Sequence, residues 1–122
     1  MRIARSSETP FEPMANDNFT RPVQRRDLGR TSVLDGTALV VAFEAGVRNS
    51  WHSHSGGQIL YVTDGVGRVG TRDGAVLEVR AGDLVEAPPG EVHWHGASDD
   101  EAMTHLALSF GEPSWFEPVR DA

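Results

Sequence analysis

Four of the five histidines in this chain form two His-x-His pairs, His52/His54 within WHSHSGGQ and His93/His95 within EVHWHGA, while His105 stands alone in MTHLALSF. Side chains at i and i+2 of a strand leave the same face, with Cα atoms about 6.5–7 Å apart. From that separation two imidazoles can turn onto one ion, and neutral imidazole is a borderline donor that suits first-row transition metals. A single histidine is more simply read as a surface or hydrogen-bonded core residue. Two pairs using four of the five are not explained that way, because imidazoles packed together repel one another as pH falls. The residues point to metal binding.

What the chain lacks narrows that chemistry. It has no cysteine, so thiolate catalysis, disulfides and cysteine-ligated zinc are excluded. All eleven basic residues are arginine, which removes lysine Schiff-base chemistry. The formal charge of −7 and a pI near 5.1 give an average field that repels a phosphate backbone or an anionic leaflet, so neither nucleic acid nor membrane is an expected partner. No 18-residue apolar run is present, and MRIARSSETP lacks the apolar core of a secretory signal; the expected address is the cytoplasm. A small-molecule substrate is the remaining partner class.

The elements that must carry the histidines are short strands. At 122 residues the chain suits one domain with one core. Residues 1–16 are polar and without a stable period, which predicts a flexible or docking N-terminal arm ahead of a domain over 17–122. Beyond it, β-branched runs at 37–46, 58–65, 66–74, 75–83, 84–90, 91–97 and 103–110 are separated by Asp64-Gly65, Asp73-Gly74 and Pro88-Pro89-Gly90. That spacing predicts an all-β sandwich or barrel with almost no helix, best drawn as one jelly roll. Period two sets His105 with Met103, Ala107 and Ser109, opposite the row of Leu106 and Leu108. Trp51 and Trp94 flank the pairs at opposite parity and are expected in the core or an interface. Arg48 and Asn49 lie just before the first pair, where they are either loop residues or substrate contacts.

Two stretches carry a resemblance. GVRNSWHSHSGGQILYVTDG (46–65) reads G, five residues, HxH, three residues, Q, six residues, G; GDLVEAPPGEVHWHGA (82–97) reads G, five residues, PxG, two residues, H. Both resemble the two motifs of the cupin superfamily, which implies a single-domain cupin jelly-roll β-barrel and an ion held by His52, His54, Gln58 and His93. Gln58 stands where most cupins carry glutamate, and Ala97 where the second motif usually ends in asparagine. Gly56 and Gly57 would form the turn that brings Gln58 to face the two histidines. Three imidazoles and one amide are all neutral, so a bound divalent ion would keep its full charge and act on anionic ligands as a strong Lewis acid.

From about residue 17 onward the chain is similar to the small bacterial manganese-dependent hydroxynitrile lyases, through the glutamine ligand, HWHGA (93–97), AMTHLA (102–107) and SWFEPV (114–119). The resemblance implies one divalent ion per chain, Mn(II) first with Fe(II), Zn(II) or Ni(II) next, and assembly as a homodimer or homotetramer. It places His105 as general base and Leu39, Val41 and Ser109 in the pocket, with His95 a pocket residue rather than a further ligand. A cyanohydrin-like hydroxyl would be deprotonated by a histidine of near-neutral pKa, and a carbon–carbon bond would then break or form. Two other classes use the same scaffold: a non-haem metal dioxygenase of the quercetinase-like type and a non-catalytic small-molecule-binding cupin. An isomerase or cyclase with the same metal and base is equally compatible with these residues.

Overall fold

The computed structural model of the chain describes residues 1–120; the last two residues of the expected domain lie outside them. Ten strands follow one another: β1 Glu12–Met14, β2 Val23–Thr31, β3 Gly36–Phe43, β4 His52–His54, β5 Gln58–Thr71, β6 Val76–Arg80, β7 Leu84–Ala87, β8 His93–Ala97, β9 Met103–Phe110 and β10 Pro113–Trp115. The helical content among the described residues is one 3-10 turn, Ser6–Glu8, as the β-branched composition predicts.

The strands pair antiparallel in the order β1-β2-β3-β9-β5-β8-β4-β10, with β6 and β7 also on β5. β5 is the seam of the barrel. Its first half pairs with β9 and β7, and its second half with β6 and β8. Two strands were expected here, with Asp64-Gly65 as the turn between them. The structure has instead one strand of 14 residues that bulges between Val62 and Asp64. Gly65 serves that bend at φ 78°, and a Cβ there would fall 1.9 Å from the Ala102 carbonyl oxygen. The bulge redirects the strand from one face of the barrel to the other.

Inward positions build the core. Val23, Val41, Phe43, Val47, Val62, Val79, Ala97 and Met103 form one buried cluster. The outward leucines of β9 are only half-buried, whereas Met103, His105 and Ala107 on its other face are buried, in accord with the period-two reading.

Part of the segment expected as a flexible or docking arm lies against the barrel. Glu12–Met14 pairs with Val23–Arg25, Met14 packs against the core cluster, and the Arg2 guanidinium donates to the Leu28 carbonyl at 2.8 Å. Its polarity hides this role, because a three-residue edge strand presents only Met14 inward.

Candidate metal centre

Three strands and a turn assemble the histidines. β4 lies against β8 with His52 opposite His93, their ring centroids 4.4 Å apart. At the end of β4 the His54 carbonyl accepts the Gly57 N–H at 3.0 Å, a tight turn that returns the chain so that Gln58 opens β5 beside the histidines. β9, paired with β5, supplies His105 and Ser109.

The hydrogen bonds around these rings fix where protons sit. His52 Nδ1 lies 2.8 Å from the Ser50 carbonyl oxygen, and His93 Nδ1 lies 3.0 Å from that of Glu91. A carbonyl only accepts, so both rings carry their proton on Nδ1. Burial keeps them neutral. It lowers His52 to about 3, with neighbouring His93 adding to the effect, and it lowers His93. Each ring is left with a bare lone pair on Nε2.

His93 Nε2 nevertheless stands 2.9 Å from Gln58 Oε1. That oxygen is an acceptor only and has no hydrogen either; the other end of the amide donates to Ser109 Oγ at 2.9 Å. Two lone pairs thus face each other in a buried site, an arrangement that repels unless a cation is shared between them. His54 adds a third: its Nε2 is buried without a hydrogen-bond partner, and burial followed by His93 lowers its pKa to about 4. The donor set fits a divalent metal ion.

The four residues expected as ligands come together, but not alone. Among the described residues, His52, His93 and His95 have donor atoms that all lie within 4.8 Å of one another. His54 sits farther out, its ring centroid 5.3 Å from that of His52 and 6.3 Å from that of His93. His95 has other partners. The Asn49 amide Nδ2 lies 3.3 Å from its Nδ1 and 3.2 Å from its Nε2, while Asn49 Oδ1 accepts the His95 backbone N–H at 2.9 Å. Asn49 is therefore a buried clamp on His95, a role that no local signal announces across 46 residues of chain. Arg48 reaches the other way and donates to the Val119 carbonyl at 3.0 Å.

His105 stands next in this row. Its Nε2 is 3.1 Å from His95 Nδ1, and its Nδ1 is buried without a hydrogen-bond partner. The near-neutral pKa expected of a base is not what the fold provides. Burial lowers it to about 4, with the Phe43 ring centroid 5.4 Å away. At neutral pH the ring is in its base form.

A cavity of about 270 Å³ opens onto these groups. Leu39, Val41, His95 and Ser109, expected in a pocket, all line it, together with His52, His54, Gln58 and His105. His93 lies behind the wall, beside Gln58. Phe43, Ala107, Met14, Phe19 and Trp115 supply further apolar lining, and among the described residues no arginine, aspartate or glutamate lines it. Trp115 was missed by sequence reasoning. It pairs across from His52 through β10 and stacks on that ring at 4.5 Å and 29°; the one hint was an aromatic pair in a tail following a proline. Of the other tryptophans, Trp94 is buried in the core, and Trp51 carries the Arg72 guanidinium 4.3 Å over its ring.

The cupin domain profile matches residues 39–109, the span from the cavity wall on β3 to Ser109. The chain belongs to the cupin family. This cupin is 48% identical over 85 residues to an (R)-mandelonitrile lyase of Granulicella tundricola, a match that covers 66% of this chain and 65% of that protein. The chain therefore spans less than two thirds of that relative. Among solved structures, it is similar to a cupin-like protein from Thermotoga maritima, with a TM-score of 0.83 and 38% identity over 89% of this chain and 86% of that one. A polyketide cyclase from Streptomyces resistomycificus shares the fold at a TM-score of 0.78 and 18% identity, covering 100% of this cupin and 87% of the cyclase.

Proposed function

We propose that this cupin is a metal-dependent lyase that cleaves or forms a carbon–carbon bond in a neutral, cyanohydrin-like small molecule. The observation that carries the reading is the pair of opposed lone pairs, His93 Nε2 and Gln58 Oε1, at the wall of a cavity whose lining among the described residues holds no arginine, aspartate or glutamate. The lyase named above supports the choice of reaction. We assign His52, His54, Gln58 and His93 as ligands of one divalent ion, with Mn(II) favoured. When bound, the ion supplies a Lewis acid that lowers the pKa of a substrate hydroxyl and favours a developing anion.

The protein's own groups do the rest. Leu39, Val41, Phe43 and Ala107 give an apolar wall for the organic part of the substrate and keep water from it. His105 takes the hydroxyl proton, being uncharged at neutral pH and held through Nε2 against His95 Nδ1. Asn49 keeps His95 in place for that contact. Breaking the carbon–carbon bond then yields a carbonyl compound and a stabilised carbanion-like leaving group, which takes the proton back. The same reading includes assembly as a homodimer or homotetramer in the cytoplasm, open to sedimentation and cell fractionation.

The test is elemental analysis of chelator-washed protein, then a mandelonitrile cleavage assay after reloading with Mn(II), Fe(II) or Zn(II). Metal near one per chain with benzaldehyde released by the manganese form is the expected result. Absence of bound metal overturns the ligand assignment, and full metal without cleavage overturns the lyase assignment.

A further inference from the structure

We infer that Phe19 and Trp115 are specificity-determining residues that make the cavity select an aryl group over a saturated one. The inference rests on the reading of this cavity as the substrate site. Six rings close a circuit along its wall, all of them among its lining residues. Three are the imidazoles of His52, His95 and His105, with centroids 5.0 and 4.9 Å apart in that order. From His105 the circuit passes to Phe43 at 5.4 Å, to Phe19 at 6.1 Å and to Trp115 at 6.3 Å, and it returns to His52 at 4.5 Å. One half can meet a polar, reacting group; the other offers aromatic faces and edges to the rest of the molecule.

The aromatic half is fixed by backbone. Phe19 lies between two hydrogen bonds that tie its neighbours to the segment entering β4: the Ser50 N–H donates to the Asn18 carbonyl at 2.8 Å, and the Thr20 N–H to the Arg48 carbonyl at 2.9 Å. Trp115 is set by register, as the cross-strand partner of His52. Both come from outside residues 39–109, which match the cupin profile, so the barrel motifs do not supply this wall. Phe43 is 2% exposed and already covered by the core, whereas Trp115 keeps 38% of its surface open. Aromatic rings pack edge-to-face or offset at centroid separations of about 4.5–7 Å and gain from a further ring beyond the area it buries. A cyclohexyl group has the larger apolar area and no ring quadrupole, so a wall that was merely apolar would favour it.

The experiment is isothermal titration calorimetry of the full chain, as purified and after reloading with Mn(II), with benzyl alcohol and cyclohexylmethanol as probes. The two share a neutral hydroxyl and the same number of carbons and differ in the ring. The parent is expected to bind benzyl alcohol about 10-fold more tightly, from two aromatic contacts of about 2–10-fold each. Phe19→Leu and Trp115→Leu should each lower that ratio about 2–10-fold. Phe19→Tyr and Trp115→Phe keep a ring and should hold the ratio within about twofold, the scatter of independent changes. Equal or reversed affinities in the parent, or no binding of either probe, overturn the inference. So does an unchanged ratio in either leucine variant, or a ring-keeping variant that loses as much as its leucine counterpart. Mandelonitrile cleavage by the same samples tests the lyase reading separately: a parent that prefers benzyl alcohol and cleaves nothing keeps the aryl site and loses the lyase.

Discussion

His93 holds two oxygens with one proton. Its Nδ1 and Nε2 face the Glu91 carbonyl and the Gln58 amide oxygen at 3.0 and 2.9 Å, and burial works against the doubly protonated ring that would satisfy both. A metal ion removes the conflict by taking the place of the second proton, as ligating histidines commonly donate their other nitrogen to a carbonyl. The two sets of donors that the geometry allows differ at His54 and His95, and single substitutions separate them. His54→Ala is expected to lower bound metal well below one per chain, because its Nε2 has no other partner; His95→Ala is expected to retain metal, because His95 is held by Asn49 and His105. Metal content by elemental analysis decides, and the reverse pattern would move the ligand assignment to His95. His105→Ala should likewise keep its metal while turnover falls about 10²–10⁴-fold, the usual contribution of a general base. Loss of both metal and turnover would show that His105 supports the ion and not the proton transfer.

At the scale of elements, β8 is pressed between β5 and the segment that carries Asn49. Gly96 makes that approach possible: a Cβ on it would come within 2.5 Å of the Arg48 Cα and of the Val47 carbonyl oxygen, where Ala97 N–H donates to the same carbonyl at 2.8 Å. Backbone cannot yield as a side chain can. Gly96→Ala should therefore cost about 1–3 kcal/mol, the range for overpacking, seen as a lower urea midpoint with an unchanged slope; an unchanged midpoint would mean that the 47–49 segment is loose. This contact also marks what was legible beforehand. Residues 37–46 form a β-branched run bounded by a turn signal, and residues 103–110 alternate, so that His105 could be set opposite the leucines from period two alone. VQRRDLGRT, residues 23–31, forms β2 with no apolar period, because its strand character comes from pairing with β3 and not from its own side chains. The stacking of Trp115 on His52 was equally hidden. It depends on β10 returning to β4, a pairing set by closure of the barrel that no window of sequence contains.

For the whole molecule, placing all five histidines inside the barrel ties stability to pH. His105 is lowered by burial to about 4 and His52 to about 3, against an ordinary value of 6.5, and His95 is lowered well below it. As pH falls from 6.5, the unfolded chain takes up these protons while the folded chain does not. The unfolded state then binds more protons, so stability rises with pH across the window and is greatest above it. Stability of the metal-free protein is thus expected to be level above about pH 7 and to fall steadily from 6.5 toward 4, each buried histidine contributing up to about 1.4 kcal/mol per pH unit. The exposed Glu117 carboxylate is held at about 2 by Arg72, so its contribution to stability begins to fall only below its ordinary 4.5 and does not confuse the upper part of the window. Urea unfolding of the chelated protein at pH 7.5, 6.5, 5.5 and 5.0 measures the effect, and a flat profile would mean that the histidines titrate near their ordinary values in a hydrated site. His105→Gln, which keeps a neutral polar group in place of the ring, should make the slope between pH 6.5 and 5.0 shallower. Bound metal should raise the whole curve, since it selects the folded state alone. A barrel that holds its own imidazoles uncharged below neutrality has already met the main cost of presenting them to a cation.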